Sequence, residues 1–358
     1  AENKCVAPNA ADMSVTVSTG LLAPSAESQE SQVAGDEPEV APLIAARPAR
    51  IAALLAVPLL WGSFTPVLKV LLKNKNHPPA LLTNLLSHTI GAFMLSNLWL
   101  LQSITQNSCP AAEPKARPRS LRASAELGLY LFFGQLTQLL GLKNTSATTN
   151  AILVQASVIV VPLLDRSDGG LRWGTWARVA RRLIPSTLAL FGVVLLTLGP
   201  DASLAASVAE EDWRGIMFSL TSAACYALHT VRLSAYGDVE PTAQAAGQVL
   251  FNALLDLCAM PFSAESRQWL GTAGHGPTRH LLMAASWNGV VVVGATTWAM
   301  SYAQQAFSAS TAALAYAMEP VCAALIAIVA LGDVLAPLQM LGGGLVILAN
   351  IAAARSNS

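Results

Sequence analysis

Apolar runs of about twenty residues recur from residue 51 to the C-terminus, and this recurrence constrains the fold more than any other feature. A helix of that length spans the hydrocarbon core of a bilayer, where every backbone N–H and C=O must be satisfied inside the segment. Composition agrees. Of 358 residues, 53% are hydrophobic and only 12% are charged, against roughly 25% in a soluble domain. The 21 basic and 21 acidic residues balance, so no net field points to a nucleic-acid partner. The reading is an all-α polytopic membrane protein.

Ten runs are predicted to span, at about 51–72, 79–101, 123–142, 145–164, 183–199, 214–236, 243–264, 281–306, 310–331 and 337–354. Ahead of them, residues 1–50 are rich in Ala, Ser, Glu and Pro, and Glu27, Glu30, Asp36, Glu37 and Glu39 make this tail acidic. Such a segment is expected to be disordered. It has no apolar core of a signal peptide and is too acidic for a transit peptide, although Ala at position 1 is compatible with a presequence already removed. The expected divisions are the tail (1–50), a first five-helix unit (51–199) and a second (213–354).

With ten spans, both termini and the loops following even-numbered spans share one side. Lys and Arg concentrate there, at Arg47, Arg50 and in the stretches 115–122 and 166–182. The positive-inside rule places both termini in the cytosol, or in the stroma of a plastid.

Five spans followed by five invite a search for duplication. Setting residue n against n+162 aligns SATTNAILVQASVIVVPL (146–163) with SASTAALAYAMEPVCAAL (308–325). Ser146/Ser308, Ala147/Ala309, Thr149/Thr311, Ala151/Ala313 and Leu163/Leu325 are identical, and Trp61 falls near Tyr226. Because five is odd, the second unit inserts upside down, so two inverted repeats are expected, with a site near midplane between them.

Intramembrane polar groups normally face the bundle interior. Lys69, Arg232, Asp256 and Glu319 are counted as the ionisable side chains within the runs, histidines aside. Lys69 and Arg232 lie near run ends, where snorkelling is an alternative to substrate binding. Gln244, Gln248, Asn252 and Asp256 recur every four residues and form one helix stripe. It either lines a cavity or packs on another helix. Gln135, Gln155, Trp61, Trp298, Tyr302 and Tyr316 complete the candidate substrate-binding set. Helix packing is the competing role for the aromatic members. Glu319 has two open readings: a structural anchor beside the kink expected at Pro320, or a carboxyl that carries a proton. Gly342 and Gly343 read as close helix packing. His88 and His229 lack a partner at metal-ligand spacing, so no zinc site is expected.

The matches WGSFTPVLK (61–69), GLKNTSATTNAILVQASVIVVPLL (141–164) and YAQQAFSASTAALAYAMEPVCAALIAIVALGDVLAPLQMLGGGLVILA (302–349) resemble the EamA-like family of the drug/metabolite transporter superfamily. The run VIVVPLLD (158–165) is similar to plastid members. The resemblance covers about 51–354 and implies ten transmembrane helices in two inverted five-helix repeats around a cavity open alternately to either side. Two departures stand out. Asp333 takes the place of the usual Glu, and Ser157-Val158 occupies the first-repeat position of Glu319-Pro320.

A secondary transporter of a small neutral or zwitterionic solute, such as an amino acid, is the resulting expectation, by proton coupling or exchange. No P-loop for an ATP-driven pump occurs. No catalytic constellation and no cofactor are expected. The alternatives are a non-transporting receptor or scaffold of the same fold, and an organic-phosphate or nucleotide-sugar exchanger. The lipid bilayer and the solute are the expected partners, and a homodimer is compatible with the reading. A chloroplast envelope location is expected, with the plasma membrane as alternative.

Overall fold

Each of the ten runs contains a helix. The structure is a computed structural model, and it describes residues 47–64, 67, 79–106, 117–165, 176–198, 212–271 and 279–356, all within the unit Ala45–Ser358. The helices are α1 (Arg47–Gly62), α2 (Ala80–Gln106), α3 (Arg117–Asn144), α4 (Ala147–Leu164), α5 (Trp176–Thr197), α6 (Trp213–Ala235), α7 (Pro241–Phe262), α8 (Arg279–Ala303), α9 (Ala309–Leu331) and α10 (Pro337–Ser356). A short helix, Ala264–Gly271, follows α7. No strand occurs among the described residues. The acidic tail up to residue 46 and Lys69 lie outside the described residues.

Five helices (α4, α7, α8, α9 and α10) are long and apolar enough to cross a membrane. The stretches Pro48–Gly62 and Leu183–Thr197, in α1 and α5, are apolar but shorter. The helices α2, α3 and α6 have the length but dilute it with polar residues. Ser87 and His88 of α2, and Ser219, Ser222 and His229 of α6, are buried, so those residues lower hydropathy without facing outward. Large apolar side chains face out instead, among them Phe93 at 72% exposure and Val329 at 88%. Polar inside and apolar outside is the arrangement a bilayer favours.

Local sequence explains the helix ends. Ser146 and Ser308, both in extended backbone, accept from the N–H of Thr149 (3.1 Å) and Thr311 (3.3 Å), capping α4 and α9 alike. Asp212 caps α6 through Arg214 N–H, and Glu240 caps α7 with Pro241 as its first residue. Gly332 ends α9 at φ 72°, a left-handed conformation that only glycine adopts without strain.

Two of the long helices are interrupted. The first piece of α4 stops at Gln155 before a turn at Ala156, and that of α9 stops at Tyr316 before Ala317 and Met318. In α9 the second piece starts with Glu319-Pro320, where a proline needs no N–H partner. No proline stands at the matching place in α4, and nothing local accounts for its break. A third irregularity is a π-helical stretch, Asn288–Ala295, inside α8, where Asn288 Nδ2 donates to Ser87 Oγ of α2 at 3.0 Å.

The helices pair in a regular way. The helix α1 packs on α8 and α9, and α6 packs on α3 and α4; α7 packs on α2 and α3, and α2 packs on α8. The helix α5 packs on α10 and on α4. The α5–α10 contact is backbone-close. A Cβ on Gly342 would lie 2.6 Å from the Gly192 carbonyl, whereas one on Gly343 would meet only Leu196 at 3.9 Å. On the other side, a Cβ on Gly62 of α1 would lie 2.7 Å from the Ala323 nitrogen of α9.

The end of α4 is tied to the start of α9. Asp165, 7% exposed, accepts from both the backbone N–H (3.0 Å) and the hydroxyl (2.6 Å) of Ser310. A carboxylate there opposes the positive end of the helix dipole.

Candidate functional site

The i, i+4 stripe on α7 is buried along its whole length. Gln244, Gln248, Asn252 and Asp256 are each 2% exposed or less. Three of the four bond to side chains of other helices. His229 of α6 meets Gln248 Oε1 at 3.0 Å, and Gln248 Nε2 donates to Ser301 Oγ of α8 at 3.4 Å. One turn further on, four side chains from three helices close on each other. His88 Nδ1 lies 2.6 Å from Asp256 Oδ2. Gln135 Nε2 of α3 and Asn252 Nδ2 approach His88 Nε2 at 3.3 and 3.4 Å, and Asn252 Nδ2 also donates to Gln135 Oε1 at 3.3 Å. Two atoms of the stripe, Gln244 Nε2 and Asn252 Oδ1, are buried without a hydrogen-bond partner among the described residues.

A second, aromatic region adjoins α1, α8 and α9. Trp61 meets Tyr316 edge-on with ring centroids 5.4 Å apart, and Trp298 stacks on Tyr302 at 5.3 Å. Trp61, Trp298 and Tyr316 all pack on one apolar cluster that includes Leu127 and Tyr236. Tyr316 OH accepts from Gln304 Nε2 at 2.9 Å, and Gln304 Oε1 accepts from Ser234 Oγ at 2.8 Å. Trp298 Nε1 donates to Thr242 Oγ1 at 3.3 Å. Arg50 lies over the Tyr302 ring, 5.3 Å from its centroid, and its buried Nε has no hydrogen-bond partner among the described residues. Sequence reasoning used Arg50 only as a topology marker.

Arg232 borders the aromatic region through Tyr236, whose ring lies 5.1 Å from its guanidinium. Its Nε and Nη2 donate to the two carboxylate oxygens of Glu126 at 2.5 and 3.1 Å, and Tyr236 OH donates to the same carboxylate at 2.5 Å. Glu126 lies inside the run 123–142 and is a further ionisable residue that the count of four omits. The arginine is therefore held by a counter-ion, with 38% of its side chain exposed.

Glu319 and Gln155 are half-buried, and neither side chain makes a hydrogen bond or ion pair among the described residues. Glu319 thus has no polar anchor of the kind its structural reading supposes. The structure brings Gln135, Asn252 and Asp256 together around His88, and Trp61 together with Tyr316. It holds Arg232 on Glu126 and Tyr236. His88 was read as a lone histidine, because its partner is 168 residues away. The usable signal was the midspan carboxylate, which had to find a partner on another helix. No group of three or more His, Cys, Asp or Glu able to hold a metal ion occurs among the described residues.

Residues 213–354 match the model of the EamA-like transporter family, so the resemblance read from sequence holds over the second half. No curated protein matches the chain. A solved crystal structure superimposes with a TM-score of 0.65 over 87% of this chain and 99% of its own, at 18% identity. That likeness concerns the fold, and it reaches well beyond the residues of the family match. Residues 213–354 thus carry an EamA-like sequence, in a chain whose described residues include five helices long and apolar enough to cross a membrane.

Proposed function

We propose, starting from that EamA-like half, that the chain is a secondary transporter of a small neutral or zwitterionic metabolite, built as ten spans in two inverted repeats. The observation that carries this is the polar row on α7. It is buried where helices from both halves meet, α2 and α3 from the first and α6 and α8 from the second. Inverted-repeat transporters place their sites at such a junction. The repeat is supported by helix pairing, since adding five to each helix number turns α1–α8 into α6–α3, α1–α9 into α6–α4 and α2–α8 into α7–α3. It is supported also by the matching Ser caps and breaks of α4 and α9.

Charge distribution favours a solute without a phosphate. A phosphate brings up to two negative charges and needs free cations. Among the described residues, Arg232 is matched by Glu126, and Arg50 faces an aromatic ring. Closure of Asp256 and Gln135 within a packed network, rather than on an open cavity, favours the second reading, a non-transporting scaffold of the same fold.

Reconstitution of the full chain into liposomes decides between them. Uptake is measured for a radiolabelled panel of the standard amino acids and, in parallel, of sugar phosphates. Saturable uptake of a panel amino acid, reduced at least tenfold by Trp61→Ala, supports the proposal. Uptake of phosphates alone, or of nothing, rejects it.

A further inference from the structure

The network around His88 has a direction built into it. Both nitrogens that face Nε2, from Gln135 and Asn252, are amide donors. Nε2 therefore accepts, and the ring proton sits on Nδ1, from where it is donated to Asp256 Oδ2. In this state the pair carries one net negative charge, with His88 and Asp256 each 2% exposed. No cation touches it among the described residues. On α2, the neighbouring Ser87 is bonded to Asn288 of α8, which is neutral. On α7 the flanking members of the stripe are neutral amides, and on α3 the facing group is Gln135. A second histidine, His229 of α6, meets the stripe at Gln248, four residues before Asn252.

An uncompensated charge in a membrane interior is costly, and a proton is the smallest cation that removes it. The two amides are arranged so that a proton can enter without displacing a side chain. Both polar atoms of Gln135 bond within the network, to His88 and to Asn252. Asn252 Oδ1 makes no bond among the described residues, so turning this amide over breaks nothing on its far side. If both amides rotate by half a turn, an oxygen of each faces Nε2 and the Asn252–Gln135 contact keeps its place with reversed polarity. Nε2–H then donates where it formerly accepted.

We propose that the His88–Asp256 pair is a buried proton-binding site and, granted the transport reading above, the site of the coupling ion. The reaction is addition of a proton from water to the Nε2 lone pair. One N–H bond forms, the imidazole becomes imidazolium, and Asp256 stays ionised beside it. Release to the other side reverses the step. Neither residue faces water in this conformation, so loading and release belong to the open states. Glu319, for which the sequence leaves a proton-carrying role open, makes no side-chain hydrogen bond or ion pair among the described residues.

Solid-state NMR of the full chain in liposomes tests the site itself, using 15N-labelled histidine between pH 5 and 9, with His88 identified by loss of its signal in His88→Asn. The expected result is an Nδ1–H tautomer at high pH that converts to imidazolium on acidification. The midpoint falls by at least one pH unit in Asp256→Asn and is kept within half a unit in Asp256→Glu, which also controls for misfolding. A His88 signal constant over the whole range, or a midpoint indifferent to Asp256→Asn, overturns the proposal. Coupling is read from amino-acid uptake by the wild-type chain with and without a pH gradient. Stimulation supports coupling, and gradient-independent uptake rejects it. Where no panel solute moves at all, the transport reading fails, and the NMR titration alone decides the proton site.

Discussion

Glu126 of α3 holds Arg232 of α6 through both carboxylate oxygens while also accepting from Tyr236 OH, and Arg232 lies over the Tyr236 ring at 5.1 Å. The guanidinium thus has its charge, two of its three nitrogens and its flat face engaged. Exposed pairs contribute about 0.2–1 kcal/mol, and breaking a buried one costs about 3–5 kcal/mol. With 38% and 22% of the two side chains exposed, this pair falls between those limits. A double-mutant cycle with Glu126→Ala and Arg232→Ala, read by denaturation in detergent, is expected to give a coupling energy of roughly 1–2 kcal/mol. A value near zero would show that the contact is incidental.

Asp165 is the joint between α4 and α9. Its carboxylate takes two donors from Ser310 in the first turn of α9, where a negative charge is favoured. Replacement by Ala removes both bonds and the charge, and is expected to cost about 1–2 kcal/mol. Asp165→Asn keeps an acceptor and loses the charge, so it should retain about half of that stability. Thermal unfolding of the two variants side by side checks the order, wild type above Asn above Ala.

What the sequence made legible was local. The Ser146 and Ser308 caps follow from a Ser-x-x-Thr spacing ahead of an apolar run, and the α7 stripe from polar residues four apart. Each needs only one helix to be known. Partners from distant helices were not legible. Asp256 had the right period but no visible counterpart, because His88 carries no periodic signal and becomes a partner only when α2 lies against α7. Glu126 was hidden differently. It sits nine residues after Arg117 in a helix that begins in a basic loop, so it reads as part of a charged flank rather than of a span. The rule that an arginine within a span needs a counter-ion would have found it. The aromatic residues were legible as interior, but not in their pairing, since edge-on and stacked contacts depend on how α1, α8 and α9 cross.

Tyr316 sets an asymmetric test. Gln304 is 3% exposed, and its Nε2 has Tyr316 OH as acceptor. Tyr316→Phe keeps the ring against Trp61 but strands that donor, at a cost of about 1–2 kcal/mol. Adding Gln304→Leu removes the stranded amide along with its partner. The double variant is expected to be more stable than Tyr316→Phe alone, although it carries one more substitution. Denaturation midpoints in detergent check this. A double variant less stable than the single would mean that the ring, or the Ser234 contact, matters more than the unpaired amide.

The three consecutive glycines of α10 separate two roles that sequence alone merges. A Cβ at Gly342 would lie 2.5 Å from the Leu196 nitrogen and 2.6 Å from the Gly192 carbonyl of α5, both backbone atoms that cannot swing aside. At Gly343 the nearest atom would be 3.9 Å away, at ordinary contact distance, and at Gly344 nothing lies within 4 Å. Gly342→Ala must therefore push α5 and α10 apart, and overpacking of this kind costs about 1–3 kcal/mol. Gly344→Ala meets no obstacle and gains helix propensity, up to about 1 kcal/mol relative to glycine. The two substitutions add the same methyl group two residues apart and are expected to move thermal stability in opposite directions. Gly343→Ala should fall near neutrality. Equal effects at all three positions would mean that α10 does not approach α5 through Gly342.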